Sequence, residues 1–200
     1  MLTADDLTGL RPGTDADLAT IRNDDWRDAV DVGELRVHEG DLKLDDDLDA
    51  SGAALLVRGD LIVAGTVAVD ETGTLVVTGR LRCQNLSCEG NLEIQGDAAV
   101  AETIFGYYEA GITFFHGAVT AALFVHGNHA FEYDADRLTV GTELGFTNFR
   151  GLRTGTEAQA RAVLSPRAFA VLAPLIGLVA EGPSSQEAGR ILRTEGFLRG

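Results

Sequence analysis

Lysine is almost missing from this chain of 200 residues: Lys43 is the one basic residue of 16 that is not arginine, and 31 acids bring the net charge to −15. So acidic a chain, with so few clustered cations, is not expected to bind nucleic acid, whose phosphates need grouped Lys and Arg. Cysteine is reduced to Cys83 and Cys88, five residues apart, a spacing that fits neither a C-x-x-C pair nor a zinc ligand set. Both read as inward-facing thiols of a core. Long hydrophobic runs are missing too. The longest, residues 168–180, has 13 residues and contains Pro174 and Gly177, too short for a bilayer, so a buried helix and no membrane partner are expected. Met-Leu-Thr-Ala-Asp-Asp at the start has neither a basic nor an apolar leader region, which points to a cytoplasmic location. Catalytic signatures are lacking: there is no G-x-S-x-G, no phosphate-binding loop and no dinucleotide fingerprint. The run DLKLDDDLD at 41–49 does not follow the calcium-loop template. No cofactor and no enzymatic activity are expected.

Glycine, by contrast, is abundant, with 24 residues and only 4 prolines. From Ala54 the sequence falls into short units: ALLVRG, DLIVAG, TVAVDETG, TLVVTG, RLRCQN, LSCEG and NLEIQG. Each carries two apolar residues two apart, from Leu55 and Val57 through Leu61/Val63, Val67/Val69, Leu75/Val77, Leu81/Cys83 and Leu86/Cys88 to Leu92/Ile94. That is strand alternation, one face in and one face out. Glycines 59, 65, 73, 79, 90 and 96, with Asn85 in one gap, supply the corners between strands of about four residues. Strands this short suit a single-stranded β-helix, three to a turn of roughly 17–19 residues. A β-sandwich with irregular short strands is the alternative, though sandwiches space their turns more widely, at about 8–12 residues.

The pattern loosens through DAAVAETIFGYYEAG, ITFFHG, AVTAALFVHG and NHAFEYDAD, where Phe105, Tyr107, Tyr108, Phe114, Phe115, Phe124, Phe131 and Tyr133 accumulate. The phenylalanines read as core or as a seal against C-terminal helices; Tyr107 and Tyr108 belong either to the core or to a binding surface. At the N-terminus Thr14 is an N-cap for a short helix placing Leu18, Ile21, Trp26 and Val30 on one face, with Trp26 covering the first coil. At the C-terminus the period changes. Thr156 with Gln159 and Ser184 with Glu187 form capping boxes, and Ser165-Pro166 starts a helix, which predicts helices over 157–164, 166–180 and 185–195 to cover the open solenoid. The fold class is therefore mainly β: a solenoid over 41–150, a short helical and acidic N-terminal cap over 1–40 and an α-helical cap over 151–200.

Charge is unevenly placed. Residues 1–50 hold 15 acids and 5 bases, whereas residues 151–200 hold 4 and 6. Asp45, Asp46, Asp47 and Asp49 form either a solvated edge or, with Tyr107 and Tyr108, a surface for a basic partner. His116 and His126 occupy similar pieces of the repeat, with His129 close by; they read as corner residues, and no acid stands at ligand spacing, so no metal is expected.

The run from Leu55 to Gly96, with its G-D-L-x-V and G-N-L-E-I units, resembles the bactofilin-like "polymer-forming cytoskeletal" β-helix proteins of bacteria, and the following FGYYEAG, then HAFEYD after a further coil, look like a subgroup of bacterial solenoid proteins; together the resemblance covers about 80 of the 200 residues. The resemblance implies a β-helix and, for bactofilins, polymers built by stacking open coil ends. Structured segments at both ends depart from that pattern. A capped, acidic solenoid without catalytic residues reads best as a non-enzymatic protein-binding module, an immunity-type protein that neutralises a basic toxin domain, and as a monomer or small homo-oligomer. A self-associating scaffold is the alternative, and a sugar- or nucleotide-modifying β-helix enzyme a third reading that lacks a recognisable cleft.

Overall fold

The computed structural model describes residues 1–107, 111–147, 152–178 and 185–199, and shows a β-solenoid of about six turns with helices at its C-terminal end. Each turn begins with a short strand in one parallel sheet: Leu35–Glu39, Ala54–Arg58, Thr74–Val77, Asn91–Ile94, Ile112–Phe115 and Ala130–Glu132. It then crosses to a second parallel sheet. There the first two turns use paired short strands, Leu42–Leu44 with Leu48–Asp49 and Leu61–Val63 with Thr66–Val69. The later turns use single long strands, Leu81–Cys88, Ala98–Tyr107, Val119–Gly127 and Leu138–Phe146. Register fixes the coil length: Leu35 pairs with Ala54, Ala54 with Thr74, Thr74 with Asn91, Leu92 with Thr113 and Ile112 with Ala130, steps of 19, 20, 17, 21 and 18 residues.

All fourteen apolar residues of the seven alternating pairs lie in one interior cluster, which accounts for the strands: each unit buries two side chains, each worth about 1.5–3 kcal/mol. Corners form where the backbone of one coil stacks on the next. A Cβ on Gly79 would stand 2.5 Å from the Gly59 carbonyl carbon, and one on Gly96 would stand 2.6 Å from the Gly79 oxygen, so only glycine fits these positions. Asn85 makes no corner. It sits inside the long strand Leu81–Cys88 at a register shift, buried, its Oδ1 accepting the Thr103 N–H at 3.2 Å. Two strands merge there into one, which is why the later coils have long strands where short ones are expected.

The N-terminal segment is two helical turns rather than one helix: α1 (Asp15–Leu18) and α2 (Asp24–Ala29). Thr14 caps α1 as expected, its Oγ1 accepting from Asp17 N, but Asn23 then starts a second helix, capping it through Trp26 N. The break redirects Trp26. It packs edge-on against Phe114 at 5.3 Å, with Ile21, Leu35, Val37, Leu56 and Val76, on the outer face of the short-strand sheet, and so does not cover the first coil. Covering falls to residues 2–10, where Leu2–Thr3 adds a parallel strand beside Leu48–Asp49, and Leu7 and Leu10 pack on the interior cluster.

At the other end, α3 (Glu157–Val163), α4 (Pro166–Leu175) and α5 (Ser185–Glu195) follow the expected order. Thr156 and Ser165 are the N-caps; Ser184 lies outside the described residues. α4 ends five residues earlier than expected, at Leu175, with Gly177 in the left-handed region at φ 72°. The helices lie against the outer face of the long-strand sheet, where Phe105, Leu123, Val125, Leu144 and Phe146 pack on Val171, Leu172, Leu175, Ile191 and Leu192. They seal a flank instead of closing the last coil. Near that coil, Phe131, Tyr133, Leu138 and Val140 are only partly buried.

Candidate functional site

Carboxylates decorate the corners, and the backbone of the next coil holds them. In the glycine corner, Asp60 N–H donates to Asp41 Oδ1 at 3.0 Å, Arg80 N–H to Asp60 Oδ1 at 2.8 Å and Ala118 N–H to Asp97 Oδ1 at 2.8 Å. The G-D-L motif encodes this ladder: glycine lets the coils approach, and the following aspartate satisfies an amide that the turn leaves without a strand partner. Arg80 also bridges Asp60 Oδ2 at 2.7 Å, which holds the Asp60 carboxyl below the usual carboxylate range.

The four sequence-predicted aspartates differ in role. Asp45 is exposed. Asp46 pairs with the Met1 ammonium at 2.6 Å. Asp47 Oδ1 accepts the Thr66 N–H at 2.7 Å, repeating the ladder at a second corner, and Asp49 Oδ1 accepts the Ser51 N–H at 3.0 Å at a third. Tyr107 is half-buried and stacks on Phe146 with ring centres 6.0 Å apart, away from these aspartates; Tyr108 lies outside the described residues. The fold therefore brings three predicted aspartates close in sequence to one corner turn, and sets Asp49 and Tyr107 elsewhere.

Among the described residues, Asp41, Asp47, Asp49, Asp70 and Asp97 share one arrangement: Oδ1 accepts from backbone N–H groups, joined at Asp70 by the Thr72 hydroxyl at 2.7 Å and at Asp97 by Arg137 Nη2 at 3.5 Å, and Oδ2 has no hydrogen-bond partner. Each is a carboxylate fixed in orientation with one oxygen available. Sequence reasoning singled out Asp47 and Asp49 but missed Asp41 and Asp97, although the G-D step of the repeat was their signal.

The histidines separate. His116 follows a strand of the short-strand sheet, stacks on Phe114 and holds Nε2 3.8 Å from Glu93 Oε1. His126 lies within a strand of the long-strand sheet, with Nε2 2.8 Å from Glu143 Oε1. His116 thus sits past the end of its strand, whereas His126 lies inside one, so the two are not equivalent. His129 is buried with Nε2 2.9 Å from Thr113 Oγ1. Among the described residues no three His, Cys, Asp or Glu side chains are grouped to hold a metal. Burial pushes both thiols up, Cys88 to about 12, so neither is a thiolate near neutrality.

Two buried carboxylates were not legible in the sequence. Asp17 accepts Arg11 Nη1 at 2.7 Å, Arg11 Nη2 at 2.8 Å and Arg58 Nη1 at 3.2 Å, and the Arg11 guanidinium holds it well below the usual carboxylate range. Glu93, fully buried between Val76 and Phe114, accepts the N–H groups of Arg22 and Asn23, each at 3.0 Å. Both fasten the N-terminal segment to the solenoid.

No helix among the described residues is long and apolar enough to cross a membrane. No family model matches the chain, and no curated protein or solved structure matches it.

Proposed function

We propose that this chain is a protein-binding solenoid that engages a basic partner through its corner carboxylates, as an immunity-type protein that neutralises a toxin domain. The observation that carries the reading is the set of backbone-anchored aspartates, each with Oδ2 free. Binding loses affinity when flexible side chains must be ordered, at about 0.5–1.5 kcal/mol each, and these carboxylates are already ordered. A net charge of −15 adds steering toward a cationic partner.

The test is co-expression with the product of any neighbouring toxin-like gene, followed by size-exclusion chromatography with light scattering. The expected result is a stoichiometric complex with a basic protein whose toxicity is lost. Absence of a complex, or of any such gene, overturns the immunity reading.

One feature favours a second reading, self-association. The last coil keeps Phe131, Tyr133, Leu138 and Val140 partly exposed, and the strand Ala130–Glu132 has a neighbour on one side only among the described strands. With the first coil covered, that end supports pairing of two chains rather than a bactofilin-like filament. Dimers that grow with concentration would favour it.

A further inference from the structure

A cleft of about 400 Å3 lies between the solenoid and α5, lined by Asp49, Ser51, Ala68, Val69, Asp70, Glu71, Ser87 and Glu89 on one side and by Gly189 and Arg193 on the other. That volume is within the range of small-molecule sites, about 300–1,000 Å3. Four carboxylates face a single guanidinium, and among the described residues Arg193 makes no ion pair with any of them.

Two further observations show that the cleft is not merely an acidic patch. Ser87 is 5% exposed, yet its hydroxyl has no hydrogen-bond partner among the described residues and points across the cleft toward α5. It is thus a donor and acceptor presented to the cleft by a residue otherwise enclosed. Gly189 sits in the middle of α5, where glycine is about 1 kcal/mol less favourable than alanine. Packing does not demand it: a Cβ there would meet only Ser87 Oγ at 3.7 Å and Arg193 Nη1 at 3.9 Å, ordinary contact distances. What a larger side chain at 189 would do is fill the cleft.

The electrostatics ask for a cation. Burial, followed by Glu71 and Asp70, pushes Glu89 up to about 7, with Arg193 opposing. A bare metal ion does not suit, because among the described residues no three acidic, histidine or cysteine groups converge closely enough to ligate one. A cation with several N–H donors on an apolar stem does suit: carboxylates and hydroxyls around the rim are acceptors, and Ala68, on the outward phase of its strand beside Ser87, supplies an apolar floor for methylene groups.

We propose that this cleft binds an alkylammonium group, carried either by a free aliphatic polyamine or by a lysine side chain of a protein. The test is isothermal titration calorimetry of the full chain at about pH 8 and about 0.15 M salt, where screening leaves only short-range attraction. Spermidine, a trilysine peptide and magnesium chloride are the three probes. One-to-one binding of spermidine assigns a free polyamine, and binding of trilysine alone assigns a protein lysine. In either case Glu71→Gln with Glu89→Gln weakens binding about tenfold or more, since charge-assisted hydrogen bonds are lost, and Gly189→Leu abolishes it. If Gly189→Leu does not fold, as judged by circular dichroism, the glutamine pair decides. The proposal is overturned if neither amine binds, if the variants keep the parent affinity, or if magnesium binds in preference. Spermidine binding would stand whether or not the chain neutralises a toxin, and a failed titration would leave that reading untouched.

Discussion

Glu93→Gln is the most informative single change in the solenoid. The two carboxylate oxygens accept separately, Oε1 from the Arg22 N–H and Oε2 from the Asn23 N–H, each at 3.0 Å, and Gln95 Nε2 donates to Oε1 at 2.7 Å while also donating to Thr20 O at 2.7 Å. Glutamine keeps the volume but replaces one oxygen with an NH2, so one backbone N–H must face a donor in a fully buried site. A hydrogen bond to a charged group is worth about 1.5–3 kcal/mol, and an orphaned buried donor costs about 1–3 kcal/mol. Relief of carboxylate desolvation offsets part of this, which leaves a net loss of about 2–4 kcal/mol. The loss falls on attachment of residues 20–23 and not on the coils. Trp26, the chain's single tryptophan, reports that attachment through its edge-on contact with Phe114. In a urea titration, Trp26 emission of the variant should shift red about 1 M or more before the far-ultraviolet dichroism falls, given slopes of about 1–3 kcal/mol/M. Coincident transitions at the parent midpoint would refute the assignment of Glu93 as the anchor of this segment.

Two glycines should respond with opposite signs in chemical denaturation. Gly79→Ala forces a methyl against the Gly59 carbonyl and should cost about 2–3 kcal/mol, whereas Gly189→Ala makes only ordinary contacts on a helix and should add about 0.5–1 kcal/mol; equal effects would contradict the stacked-corner geometry. Because the folded state raises the pKa of Glu89, native protein holds its proton more tightly than unfolded chain, so this group costs stability as pH rises from about 4.5 to about 7 and nothing further above. Glu89→Gln should therefore raise stability at pH 8 by about 1–2 kcal/mol after solvent screening, and change little at pH 4, as followed by thermal melts. Asp17 behaves in the opposite sense: its depressed pKa contributes stability that is present above about pH 4 and lost below, so Asp17→Asn should lower the melting temperature at pH 7 and flatten the acid limb. Cys83 and Cys88 should resist a thiol reagent in native protein and react after unfolding; prompt labelling would contradict their burial.

The solenoid was legible because its interior is written locally. A residue pair such as Leu75 and Val77 buries itself by alternation, and the glycine at each corner is demanded by the coil immediately before it. The outer faces were harder, though not silent. Leu56 and Val76 interrupt the polar phase of their strands, which makes Ala54–Arg58 and Thr74–Val77 apolar on both sides, and a strand buried on both faces must be covered by something. What covers it could not be read, because the helical spacing of Leu18, Ile21 and Trp26 says nothing of the break that Asn23 introduces by capping a second turn. The aspartates were recognised as a charge run, but their orientation depends on an amide one coil away, as in Asp47 with Thr66. Pairing Ser87 with Gly189 across a cleft depends on where the final helix docks, which no local pattern records.

Stacked-coil proteins ordinarily behave as one-dimensional arrays, in which each unit feels only its neighbours and the ends can fray independently. The N-terminal segment changes that arithmetic. It begins at the first coil, where Arg11–Pro12 pairs with Leu35–Glu39, and reaches the fourth through Glu93 and the fifth through Phe114. Ties spanning 71 to 88 residues make loss of any middle coil costly to the first, so the stack should melt cooperatively as a single unit, and fold slowly, since the chain must build its fifth coil before its first 30 residues find their place.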